Sequence, residues 1–121
     1  MEAKELMIGD KVMVKVLSQI PDTYVLHTWT ANDYSRDIQV KPIPLTPEIL
    51  EKNGFIKVNS QRYDYGYPDT DCYVKVNPKK NMIHVNGRNA NSNLYSHSFV
   101  HELQRALRLC GLDELANNFK L

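Results

Sequence analysis

The chain has 121 residues, of which 42% are hydrophobic and 24% charged, and its 15 lysines and arginines nearly cancel 14 aspartates and glutamates, for a formal net charge of +1. A chain of this length is expected to form one domain that buries its own core without disulfides or a structural metal. The charge balance provides no global field to recruit nucleic acid or a membrane surface, and no apolar run is long enough to span a bilayer.

From the N-terminus, Val12, Val14 and Val16 alternate with Lys11, Met13 and Lys15. This predicts a half-buried strand over Lys11 to Leu17, entered through a tight turn at Gly9 and Asp10. Ile8, Gly9 and Asp10 ahead of alternating valines resemble the opening of small SH3-like five-stranded barrels. After a break at Pro21 and Asp22, the stretch Thr23 to Thr30 is rich in β-branched and aromatic residues and holds the only tryptophan, Trp29. Asn32 and Asp33 signal a turn, and Arg36 to Lys41 alternates again with Ile38 and Val40 on one face. A three-stranded antiparallel meander is the simplest product.

Pro42 and Pro44 end that segment, because proline cannot donate to an interior ladder. A short helix is predicted over Pro47 to Asn53. Thr46 can cap it, proline suits its first position, Glu48 favours the positive end of the dipole and Gly54 closes it. Leu45 and Leu50 have the spacing of a hydrophobic staple. A second run of strands follows: Phe55 to Val58, Arg62 to Tyr67, Asp71 to Asn77 and Asn81 to Asn86. Turns fall at Pro68 and Asp69 and over Asn77 to Asn81. Cys72, Val74 and Val76 share a face, as do Ile83 and Val85 if Met82 and His84 point outward. Gly87 to Asn93 reads as a polar loop, and Leu94 to Ser98 as an extended approach to a helix capped by Ser98.

That helix, Phe99 to Cys110, is the long helical signal of the chain. Val100, Leu103, Leu107 and Cys110 recur on one face, widened by Phe99 and Ala106, while His101, Gln104, Arg105 and Arg108 fall towards the polar side. Gly111 stops it, and a final turn starting at Asp113 lets Leu112, Leu115 and Phe119 pack back. The expected fold is therefore α+β, an antiparallel β-sheet or barrel-like meanders packed against one long C-terminal helix, with a short helix in mid-chain. Within one domain over 1–121, the N-terminal meander takes 1–44, the short helix 45–54, the second β group 55–98 and the C-terminal helical segment 99–121.

The blocks Pro42 to Phe55 and Val100 to Leu112, with the opening Lys4 to Asp10, resemble a family of short uncharacterised proteins from Bacteroides-type gut bacteria and their phages or mobile elements. The resemblance covers about a third of the chain and implies a mobile-element context. It carries no activity, ligand or catalytic residue over to these positions.

Candidate chemistry is sparse. His101 and Glu102 begin like a helical zinc-hydrolase pattern, but the position of the second histidine is Arg105, whose fixed charge opposes a metal. His97 and His101 straddle the predicted cap, His27 and His84 lie in separate strands, and scattered histidines of this kind read as surface or hydrogen-bonded residues. Cys72 and Cys110 stand neither at a helix start nor in a Cys-x-x-Cys spacing, and Met1 to Glu5 does not read as a secretory leader. Both are expected to be reduced thiols in a cytoplasmic protein. Two features suggest binding. Tyr63, Tyr65 and Tyr67 project from one face of a strand, either as a platform for bases, sugars or a partner, or as an aromatic ladder under the helix. Lys75, Lys79, Lys80 and Arg88 surround the following hairpin, a surface suited to phosphate backbones or simply a solvated face. With no phosphate loop, complete metal set or nucleophile beside a base, neither an enzyme nor a bound cofactor is expected. The expected function is a non-enzymatic interaction protein binding a protein partner or a second copy. The alternative is a small nucleic-acid-binding module using the basic 75–88 hairpin.

Overall fold

The computed structural model of the protein describes residues 6–16, 24–35, 38–66, 73–87, 90–95 and 98–121. Tyr67, Cys72, Arg88 and His97, and the turns predicted at Pro21 and Pro68, lie outside them.

Strands β1 (Lys11–Val16), β2 (Val25–Thr28) and β3 (Ile38–Lys41) form an antiparallel sheet in the order β2-β1-β3. This corrects the predicted meander, in which β2 would lie in the middle. β1 carries the residues that need two neighbours: Val12 and Val14 are buried, whereas Val25 and Leu26 of β2 are exposed. β1 therefore pairs on one side through Lys11 to Val14 and on the other through Met13 to Val16. Its buried face joins Leu6 and Trp29, with Ile38 and Val40 packed alongside, to make a small core.

Helix α1 (Pro47–Lys52) forms for the local reasons its sequence states. Thr46 Oγ1 accepts the Ile49 N–H at 3.2 Å, proline opens the first turn, and Gly54 takes φ +86°, the left-handed conformation that stops a helix. The helix ends one residue before the predicted limit and docks through Leu50 and the following Phe55, both buried.

The second sheet is a five-stranded antiparallel meander in chain order: β4 (Ile56–Lys57), β5 (Tyr63–Tyr65), β6 (Tyr73–Asn77), β7 (Met82–Gly87) and β8 (Ala90–Tyr95). The β6–β7 connection is a 3-10 turn over Pro78–Lys80, ended by Asn81 at φ 53°. Strand β8 replaces most of the polar loop predicted over Gly87 to Asn93. Its sequence, rich in asparagine and serine, has poor intrinsic strand preference, and its pairing with β7 from Gly87–Ala90 to Met82–Tyr95 makes it a strand. Both sheets are open rather than barrel-like.

Helix α2 (Val100–Leu109) and α3 (Asp113–Asn117) complete the chain, so the C-terminal segment is a ten-residue helix and a short one rather than a single long helix. Ser98 does not cap α2. It has φ 61°, and its hydroxyl lies 3.0 Å from the Pro78 carbonyl oxygen and from Asn81 Oδ1, in the β6–β7 turn. Phe99 occupies the cap position, where its N–H donates to Glu102 Oε1 at 3.2 Å.

α2 touches both β7 and β1, which places it between the two sheets rather than on top of one. Val100, Leu103, Ala106 and Leu107 are fully buried in the larger core with Val74, Val76, Ile83 and Val85. Each large side chain buried here contributes about 1.5–3 kcal/mol to the stability of the fold. Two residues of the predicted polar side, His101 and Gln104, are buried as well. Gln104 Oε1 accepts the Lys11 N–H at 2.7 Å, and its Nε2 donates to the carbonyls of Gly9 at 2.9 Å and Ala116 at 2.8 Å. Beside it, Arg108 Nη1 donates to Asp10 Oδ1 at 2.6 Å, and Asp10 is fully buried. One amide and one ion pair thus fasten the small sheet to α2. Among the described residues, no helix is long and apolar enough to cross a membrane.

Candidate functional site

With α2 on one face of the five-stranded sheet, the side chains of β5 to β7 sort by parity. Tyr63, Tyr65, Val74, Val76, Ile83 and Val85 point to the core side, and Asp64, Tyr73, Lys75, Asn77, Met82, His84 and Asn86 to the other. The register aligns a row across the outer face: Ile56 opposite Asp64, Asp64 opposite Lys75, and Lys75 opposite His84.

This row borders an open depression of about 330 Å³ lined by Arg62, Lys75, Val76, Asn77, Met82 and His84. Arg62 Nε lies 3.2 Å from Asp64 Oδ1, and Asp64 is only 4% exposed, so its carboxylate sits beneath the guanidinium instead of facing solvent. On the other flank, Lys75 Nζ stands 5.2 Å from the centre of the Tyr73 ring, a cation–π arrangement. That ring is tilted at 37° to His84, with centroids 6.1 Å apart. At the sheet edge, Ile56 and Val58 are exposed aliphatic residues; the Val58 N–H donates to the Arg62 carbonyl and continues the β4–β5 hairpin. Among the described residues, the face therefore combines the cations Arg62 and Lys75, a tyrosine–histidine pair and an apolar margin, with the carboxylate of Asp64 recessed and paired with Arg62.

The sequence-derived candidates divide across the molecule. Tyr63 is buried in the larger core, and the half-buried Tyr65 packs on Phe55 at 5.4 Å between ring centres, so both lie on the core side of the sheet. Tyr67 and Arg88 lie outside the described residues. Lys75 is on the outer face, and Lys79 and Lys80 are exposed on the turn at the end of the same hairpin. Arg62 and Tyr73 were not singled out by sequence reasoning. The available signal was their alternation with Tyr63 and Val74, which fixes them to the face opposite the core once the core side is known.

The described histidines lie in three separate environments. His27 Nε2 is 2.7 Å from Asp33 Oδ2, an oxygen that also accepts from the Thr30 N–H at 2.7 Å and the Thr30 hydroxyl at 2.9 Å. That cluster secures the 3-10 turn Ala31–Ser35 beside Trp29. His101 stacks on Phe99 at 6.0 Å inside the fold, and only His84 borders the depression. Among the described residues, no group of three or more histidine, cysteine, aspartate or glutamate side chains is arranged to hold a metal ion. Cys110 is buried with its sulfur 3.7 Å from the Tyr73 carbonyl oxygen.

Comparison of the chain with protein-family models, with curated proteins and with solved structures returned no match.

Proposed function

We propose that this protein is a non-enzymatic binding protein that presents the outer face of its five-stranded sheet to a macromolecular partner. The observation carrying the reading is the depression lined by Arg62, Lys75, Val76, Asn77, Met82 and His84, bordered by side chains that point away from the core residues packed with α2. An open surface of mixed cationic, aromatic and aliphatic character suits recognition, because paired strands fix the backbone that carries these side chains and spare that part of the ordering cost on contact. The exposed Ile56 and Val58 enlarge the contact beyond the depression itself.

The test is positional. A photo-crosslinking amino acid is placed at His84, on this face, or at Glu114, exposed on α3. Irradiation in the host cell is expected to give discrete adducts from position 84 and none of the same mobility from position 114. Identical patterns from both positions, or adducts from 114 alone, would refute the assignment of the binding face. A protein partner or a second copy gives adducts that protease removes, and nucleic acid gives adducts that nuclease removes.

A further inference from the structure

We infer that the outer sheet face takes a single-stranded nucleic acid, an inference that rests on that face being the binding surface. The charge of the whole chain does not suggest this, but the local distribution does. Of the charged groups on the described part of the face, Arg62 and Lys75 border the depression, and the one carboxylate, Asp64, is recessed beneath Arg62. Lys79 and Lys80 continue the positive side along the β6–β7 turn, both exposed. Because Arg62 is already paired with Asp64, a phosphodiester chain running from the depression towards that turn meets Lys75, Lys79 and Lys80 in succession, and the affinity of such a track scales with the number of phosphates it neutralises.

The aromatic pair supplies the second element. Tyr73 and His84 stand on neighbouring strands with ring centres 6.1 Å apart, and His84 lines the depression. Bases stack on such rings without regard to sequence, and this requires them to be unpaired and splayed from the strand. Duplex presents phosphates but conceals base faces, so a shallow sheet bearing rings and cations together favours one strand over two. A protein partner is the competing occupant. It would use Ile56 and Val58 more than Lys75, and the two cases separate by which substitutions matter.

The experiment is fluorescence anisotropy with labelled 12-nucleotide oligothymidylate, oligouridylate and a duplex of the same length, titrated with the full chain at several salt concentrations. Lys75→Glu removes a cation from the face; Lys120→Glu makes the same charge change at an exposed C-terminal position. Tyr73→Ala removes the ring, and because Tyr73 is half-buried, Tyr73→Leu accompanies it to retain packing. Wild type is expected to bind the single strands more tightly than the duplex. Lys75→Glu should flatten the slope of log affinity against log salt by about 0.7, the value of one phosphate contact on a single strand. Both Tyr73 variants should weaken binding about tenfold, the effect of one lost stacking contact, and Lys120→Glu should change it less than twofold. Preference for thymidylate or uridylate assigns the strand as DNA or RNA. Absence of binding at low salt, preference for duplex, or equal losses for Lys75→Glu and Lys120→Glu would overturn the proposal. Position-specific protein adducts at 84 together with silent anisotropy would overturn the nucleic-acid assignment alone and leave the binding face standing.

Discussion

Gln104 offers the sharpest test of how the two sheets are joined. Its side chain is fully buried and makes three hydrogen bonds, to the Lys11 N–H and to the carbonyls of Gly9 and Ala116. Gln104→Ala removes all three at about 1 kcal/mol net each, and the space left behind adds about 1 kcal/mol, for a loss of about 4 kcal/mol. Total stability for a domain of this size is on the order of 10 kcal/mol, so the loss is large without abolishing folding. Gln104→Met keeps most of the volume and should cost about 3 kcal/mol, isolating the hydrogen bonds from the cavity. The assay is urea denaturation followed by two probes. Trp29, the only tryptophan, is buried in the small core and reports on β1 to β3 by its emission. Far-UV circular dichroism reports on the whole chain. In wild type the two transitions should coincide. In Gln104→Ala the Trp29 transition should move to lower urea than the dichroism, because the small core of Leu6, Val12, Val14 and Trp29 has lost its main polar tie to α2. A destabilisation below about 1 kcal/mol would refute the accounting from buried hydrogen bonds. Coincident transitions in the variant would refute the claim that this amide fastens one sheet to the rest.

Two further substitutions probe neighbouring features. Asp10→Asn removes the charge facing Arg108 while retaining the shape of the side chain, and leaves a mostly buried guanidinium without its counter-ion. The expected cost is about 3 kcal/mol by urea denaturation, with Arg108→Met adding less than about 1 kcal/mol in the Asp10→Asn background. Full additivity of the two changes would contradict the pairing. Gly54→Ala forces a side chain into φ +86°, with its Cβ 3.2 Å from Tyr65 Cε2. It should cost about 1–2 kcal/mol, lowering the melting temperature by about 4–8 °C; an unchanged melting temperature would show that the turn relaxes freely.

The binding face and the core side of the same sheet are two readings of one alternating pattern. Tyr63 and Tyr65 read either as a surface platform or as a ladder beneath the helix, because period-two geometry says only that they share a face. Packing against α2 and Phe55 decided which face that is. Once it is decided, Tyr73, Lys75 and His84 must lie on the outside, and Arg62 and Tyr73 join the lysines that the hairpin sequence already pointed to.

What the residues determined unaided is the local structure whose causes lie within a few positions. Thr46, Pro47 and Gly54 specify α1, the valines of β1 and β6 specify strands with one apolar face, and Asn77 to Asn81 specify a turn, because capping, proline geometry and side-chain alternation act over short range. Tertiary structure alone decided the rest: β1 rather than β2 at the centre of its sheet, strand formation by the polar segment Ala90–Tyr95, and burial of His101 and Gln104 on a helix face that looks solvated. Each of these depends on a partner distant in the chain. A backbone ladder is as available to asparagine as to valine, and a polar amide is stable in a core when, as for Gln104, the second sheet brings the groups that satisfy it.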